Sequence, residues 1–405
     1  MTSREARLAD LIRPGMTVAL GDGLGAPRAA SAELSRAAAR AGGVRLILGW
    51  VPSADPGLDL AAFADVRTVM PGWGLRGGVA AGLVRYPPVR LSAVPALLHG
   101  PWRPDLLVAA LVPAAGASAG GTSAAGTARG GGSPRRAGYT FGSEVSWQRA
   151  AIDAGARVAA VISRGAPRAD AGEPLEQDQV IVVGEETAPP GVLRDTPPSA
   201  EHEEIARLVA LLVPEGVRLQ VGPSPVGDAL LRRLTVPVTI DSGLLPGSVV
   251  DLASRGLLIG QPVATYLAGG PRLCAWADGR PVLHPVEYTH DFGRLSAGPF
   301  IAVNTAVEID LDGQVNVEGT ASAVLGGIGG HADYAAAAAR SVGGVSVIAL
   351  TTRHNGKPTL VSQLSRPVST SSQDVDVVVT ERGAADLRGL SRPERHAALS
   401  NLWDL

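Results

Sequence analysis

The chain has 405 residues, 45% of them hydrophobic and 18% charged, which supplies enough apolar material for two packed cores and excludes a disordered chain. Lys and Arg total 36 against 38 Asp and Glu, a net charge of −2; no basic cluster is dense enough to follow a phosphate backbone, so nucleic acid is excluded as a partner class. Cys274 is the one cysteine, which excludes an intrachain disulfide, a cysteine-rich zinc site and a CxxC redox motif, and a reducing compartment, the cytoplasm, is expected.

The first residues, MTSREARLADLI, mix charges of both signs and lack the apolar stretch of a signal peptide. No run of about 18 apolar residues follows, so a soluble chain with no membrane partner is expected. From Met16 to Leu20 a short apolar run ends in the glycines of GDGLGAP and leads into ASAELSRAAARAG, a strand, loop and helix in succession. As a dinucleotide fingerprint GDGLGAP lacks the final glycine spacing. The rhythm returns with strand Asp105 to Val112, helix SWQRAAIDAG and strand RVAAVIS, which predicts a parallel sheet flanked by helices. Between them Ala114 to Arg136 has almost no large apolar residue and cannot offset its ordering entropy, so it reads as a mobile surface insertion.

A proline-rich stretch, Ala188 to Ser199, reads as a linker before the helical EHEEIARLVALLV, which sets the expected domains at 1–195 and 196–405. Strand VRLQVG, helix SPVGDALLRRL and strand VPVTI repeat the rhythm of the first half. PFIAVNTAVEIDLDGQVNVEG alternates apolar and polar residues around Asp312-Gly313 and predicts a β-hairpin. GGIGGHADYAAAAARS then gives a glycine loop running into a helix, and VSVIAL a buried strand. Gly 51 and Pro 31 make up about a fifth of the chain. Such glycine loops let backbone amides approach a phosphate or a thioester oxygen, although the same excess also arises from compositional bias.

Five C-terminal stretches, LQVGPSPVGDALLRRL (219–234), VNTAVEIDLDGQVNVEGTAS (303–322), GGIGGHADY (326–334), SVGGVSVIAL (341–350) and VVTERGAADLRGLSRPER (378–395), resemble in order and spacing the acetyl-CoA hydrolase/transferase family, which includes 4-hydroxybutyrate CoA-transferases. The first half is similar through GDGLGAP, LSAVPALL, RPDLLVAALV and GYTFGSEVSWQRAAIDAGARVAAV. The resemblance implies an α/β fold of two open domains with the site in the cleft between them. It also implies coenzyme A or an acyl-CoA as substrate with no tightly bound cofactor, a carboxylate as second substrate, and a homo-oligomer, dimer or tetramer; the seven histidines show no HExxH or close cluster, so no metal is expected. In the family a glutamate attacks the thioester, a carboxylate being both nucleophile and leaving group.

That glutamate sits in a stretch resembling His-Thr-Glu-Met shortly before Val-Asp-Leu. Here VTIDSGLLPGSVVDL (238–252) places Gly243 at its position, with Asp241 and Ser242 just before it. Either Asp241 serves, or Ser242 or a water replaces the glutamate, or the covalent route is lost. Asp241 is one methylene shorter, and alternation along a strand limits its reach.

Gly326, Gly327, Gly329 and Gly330 precede a helix and are candidates to hold a thioester oxygen or a CoA phosphate; the plain reading is a tight loop. Gly222 with Ser224 begins a second such loop, from which Pro223 and Pro225 remove two amides. His331 stands where the family commonly has an amide side chain, and either polarises the carbonyl, activates water or caps the helix. Glu381 ends a strand, at the cleft or in a surface ion pair. The family match gives Glu318 a polar role facing the cleft, and Asn304 fixes loop backbone. An aromatic share of 4% argues against aromatic stacking as the main recognition device. The function expected is that of an acyl-CoA:carboxylate CoA-transferase or acyl-CoA hydrolase acting on a small or medium acyl group, as in acetate metabolism. The alternatives are a non-catalytic CoA-binding homologue and, more distantly, a sugar-phosphate isomerase.

Overall fold

In the computed structural model, residues 6–114, 138–169, 172–193 and 196–404 are described; the glycine-rich insertion, beyond Ala114, lies outside them. The first sheet grows from the run predicted at Met16 to Leu20. Thr17–Leu20 pairs in parallel with Arg45–Leu48 on one side and Leu106–Pro113 on the other. Asp65–Thr68 extends it at one edge, and Arg157–Ser163 followed by Val180–Glu186 at the other. Gly138–Phe141 adds antiparallel to the end of Leu106–Pro113, and Leu175–Glu176 adds antiparallel to Gly138–Phe141 in turn. These strands are continuous apolar runs because helices cover both faces; Val18, Leu106, Leu107 and Val108 are fully buried.

The second sheet has the same plan. Thr239–Ile240, Arg218–Val221, Phe300–Thr305, Val345–Ala349 and Val377–Thr380 lie in parallel, and Gly383–Asp386 closes the edge as a hairpin. Two of its helices begin at side-chain caps. Ser224 accepts from Gly227 N–H at 3.1 Å and starts Pro225–Arg233, and Ser199 with His202 forms a capping box at the head of Ala200–Ala210.

One expectation needs correction. The alternating run 300–316 is not a single hairpin: Phe300–Thr305 is a central parallel strand, and only Glu308–Asp310 and Val315–Asn316 pair across the Asp312-Gly313 turn. Phe300, Ile301, Ala302 and Val303 are all buried, so their neighbours on both faces, rather than the period of two, decide the placement. Among the described residues no helix is long and apolar enough to cross a membrane.

Candidate functional site

The C-terminal ends of the strands in both sheets face a shared cavity of about 880 Å³. Leu24, Trp50, Met70, Trp73 and Leu91 line it from the first half, and Gly222, Ser242, Gly243, His290, Asn304, the 326–330 loop, His331 and Tyr334 from the second.

The glycine loop is held open by segment 76–92 of the first half. Arg76 Nε donates to Leu325 O at 2.9 Å and its Nη2 reaches the same carbonyl. Leu91 N–H donates to Gly329 O at 3.0 Å, and Ile328 N–H to Tyr86 Oη at 3.0 Å. Tyr86 in turn donates to Glu318 Oε1 at 2.5 Å. Ser92 donates through N–H and Oγ to Asp333 at 3.1 and 2.6 Å, and burial raises that carboxyl to about 6. Glu318 therefore braces the loop from beneath rather than facing the cavity. All four predicted glycines line the cavity, and among the described residues the N–H groups of Gly327 and Gly330 donate to no protein acceptor.

Gly330 is required by close approach: a Cβ there would lie 2.3 Å from His290 Nε2 and 2.9 Å from Tyr334 Cε2. Gly243 packs against the same two rings. A Cβ on it would meet Tyr334 Oη at 3.3 Å and His290 Nε2 at 3.4 Å. His290 and Tyr334 thus stand where a side chain at 243 would begin. His290 Nδ1 shares a 2.8 Å hydrogen bond with Thr289 Oγ1, and burial lowers the ring to about 3, so it is neutral.

Five buried polar atoms on residues lining this cavity have no hydrogen-bond partner: Gln220 Oε1, Asn304 Nδ2, His290 Nε2, His331 Nε2 and Tyr334 Oη. Thr289 lies near the tyrosine and the Thr305 backbone near His331, without forming a bond of good geometry. Buried polar groups are normally satisfied, and a concentration of unsatisfied ones around one cavity is what a polar ligand would meet.

The sequence-based candidates divide. His331 lines the cavity, its Nδ1 bonded to Thr370 Oγ1 at 2.8 Å, and burial lowers it to about 4. Ser242 also lines it, but its hydroxyl donates to Val221 O at 2.9 Å and no base touches it, so it is not an activated nucleophile. Asp241 points the other way, as alternation along a strand requires. Its carboxylate takes Arg294 Nη1 and Nη2 at 2.6 and 2.9 Å and Arg218 at 3.5 Å, and it does not line the cavity. Glu381 lies in the turn at the far edge of the second sheet, accepting from Thr352 N–H at 2.9 Å and from its hydroxyl. Ser224 is spent on its helix cap, and only Gly222 and Pro223 of that loop reach the cavity. Asp241, Glu381 and Ser224 therefore stand outside the cavity lining. His290, Tyr334 and Gln220 were not legible in the sequence, since no spacing marks them.

GDGLG is not a phosphate loop. The Asp22 carboxylate accepts from Trp50 N–H, Trp147 Nε1 and Ser146 Oγ, and from Tyr266 Oη of the second half at 2.6 Å. Glu144 accepts from Gly25 N–H at 3.1 Å and Ser143 Oγ at 2.9 Å. Burial pushes Asp22 up to about 6 and Glu144 up to about 8. The folded chain therefore keeps the Glu144 proton that the unfolded chain releases near 4.5, so this contribution to stability is full below that pH and is lost as pH rises towards 8. His290 and His331 act oppositely, but only up to about pH 6.5, where the unfolded histidines become neutral. Between pH 6.5 and 8 the unfolding free energy should thus fall by about 1.4 kcal/mol per pH unit. Urea titrations at pH 6.5, 7.2 and 8 check this. Glu144→Gln should flatten the slope, and a wild-type slope of zero would contradict the assignment.

Residues 269–403 match the model of the acetyl-CoA hydrolase/transferase C-terminal domain. The 4-hydroxybutyrate coenzyme A transferase of Clostridium kluyveri is 28% identical over 289 residues, covering 66% of this chain and 67% of that protein. The chain spans about two thirds of the length of the curated relatives it matches first. Among solved structures, RipA from Yersinia pestis superposes with a TM-score of 0.83 at 22% identity, over 96% of this chain and 91% of that one. A 4-hydroxybutyrate CoA-transferase from Porphyromonas gingivalis does so with 0.74 at 21%, over 98% and 92%; at such identities these two likenesses speak for the fold alone. The C-terminal third of the chain thus matches the acetyl-CoA hydrolase/transferase C-terminal domain, and the chain over about two thirds of its length is similar to CoA-transferases.

Proposed function

We propose that this protein acts on the thioester of a small or medium acyl-CoA, as an acyl-CoA:carboxylate CoA-transferase or acyl-CoA hydrolase, without forming a carboxyl-CoA intermediate on the protein. The observation that carries this reading is that no Asp or Glu is among the described residues lining the cavity. Exchange of CoA through the enzyme needs a protein carboxylate that can become a thioester and leave again. With none at hand, the attacking oxygen belongs to water or to the acceptor acid bound beside the acyl-CoA. Water attack forms the C–O bond and breaks C–S, giving the acid and the CoA thiol. Attack by an acid gives a mixed anhydride and CoA thiolate, which then re-enters at the other carbonyl. In either case the negative oxygen is met by donors already fixed in place, the amides of Gly327 and Gly330 and the Tyr334 hydroxyl.

The division at 195/196 belongs to the same proposal, supported by the strands of one sheet lying between 17 and 186 and those of the other between 218 and 386. So do a cytoplasmic location, supported by the single Cys274, and a homo-oligomeric state.

The test is to incubate the full chain with acetyl-CoA and butyryl-CoA, with and without a labelled carboxylic acid. Thiol release without acid identifies a hydrolase, and label in the CoA thioester without net thiol release identifies a transferase. Calorimetric binding of CoA with neither reaction would overturn the proposal in favour of a non-catalytic CoA binder.

A further inference from the structure

The cavity has a direction. Its floor is buried and polar, with His290, Asn304 and Tyr334 at 1, 4 and 3% exposure. Its mouth carries Trp73, 73% exposed at the start of helix Gly72–Ala80. An indole left in water at the rim of a cavity is a stacking surface without an occupant from the chain itself. One face of Trp73 is already taken: the Arg76 guanidinium lies over it, 3.5 Å from the ring centroid. That guanidinium is anchored by its hydrogen bonds to Leu325 O at the head of the glycine loop, so the indole is held by an element of the site.

Two cations attend the mouth. Arg76 is one; Arg28 is the other, donating at 2.7 Å to the hydroxyl of Ser53, which lines the rim. Among the described residues neither has a carboxylate within ion-pair distance, although Arg28 lies in the field of Glu144 and Glu186. In a chain of net charge −2, unpaired arginines beside an exposed indole match a ligand with an aromatic base and phosphates.

We propose that Trp73, backed by Arg76, is the platform on which the adenine of coenzyme A stacks, with Arg28 and Arg76 facing its phosphates while the pantetheine arm carries the thioester down to the floor. This rests on the acyl-CoA reading above and assigns its nucleotide end. It also reverses the expectation from composition, since recognition by stacking needs one well-placed ring and not a high aromatic share.

The full chain and Trp73→Ala are compared on acetyl-CoA and on acetyl-pantetheine, which carries the same thioester without the nucleotide. The preference for acetyl-CoA, as the ratio of kcat/KM values, should fall by about tenfold or more in the variant, and Trp73→Phe should restore most of it. An equal loss on both thioesters, or a loss on neither, overturns the platform. Should the wild type turn over neither thioester, the acyl-CoA reading fails and the platform is judged separately by calorimetry with CoA. A Kd raised about tenfold by Trp73→Ala supports it, and an unchanged Kd or no binding by wild type overturns it.

Discussion

Replacing Asp241 by alanine is expected to lower the unfolding free energy by about 3 kcal/mol, because it strands two cations that the fold has drawn out of water. Arg294 grips both oxygens of this carboxylate and Arg218 a single one, with the Asp241 side chain 3% exposed and the arginines 22 and 26%. Arg218 also donates to the carbonyls of Leu295 and Gly298, so the pair ties the start of strand Arg218–Val221 to the segment that leads into Phe300–Thr305. Asp241→Asn, which keeps shape and some hydrogen bonding, should lose less. In both variants thioester turnover per folded molecule should stay within about threefold of wild type, since no transition-state contact is removed. Urea denaturation and active-fraction kinetics check the two halves. Normal stability with turnover abolished would instead make Asp241 the nucleophile.

Gly330→Ala should damage both stability and turnover. Its Cβ would sit 2.3 and 2.7 Å from Nε2 and Cδ2 of His290 and 2.9 Å from Tyr334 Cε2. Both rings are buried, and neither offers a flexible end that could swing aside. Overpacking of this kind costs about 2 kcal/mol. Displacing the ring that presents Tyr334 Oη should cut turnover by about a hundredfold, the usual penalty for a misplacement near 1 Å. Gly326→Ala is the control, because a Cβ there meets nothing within 4 Å. Stability and kcat for the two variants decide the matter, and a Gly330→Ala protein equal to wild type in both would contradict the role given to the close approach.

Much of the fold was legible because it rests on local chemistry. Apolar runs such as Val18 to Leu20 and Leu106 to Val112, each followed by a glycine or proline break, have the length and flanks of strands buried on both faces, and are such strands. The misreading of 300–316 came from the same source: alternation continues through a point where the chain leaves the sheet, and only tertiary pairing marks that point.

The site was legible in part. The 326–330 loop showed itself because backbone that must pass close to a ligand or to rings is glycine-rich in any context. Asp241 and Glu381 looked suitable as carboxylates near family positions, but chemistry by residue type says nothing of direction. Strand alternation turned Asp241 to Arg294, and an edge turn took Glu381 to Thr352. His290 and Tyr334 lie 44 residues apart and meet, rings 4.8 Å apart, only when the segment before Phe300–Thr305 packs on helix His331–Arg340. No pattern along the chain could announce that.

The central claim is that this cavity handles a thioester with no protein carboxylate as nucleophile, and the most direct test is covalent. The full chain is incubated with acetyl-CoA during turnover, treated with borohydride, and every Asp- and Glu-containing peptide is weighed. Thioester consumption with all carboxylates intact is the predicted result; a CoA adduct or its reduced alcohol at Asp241, or at any other carboxylate, would contradict it.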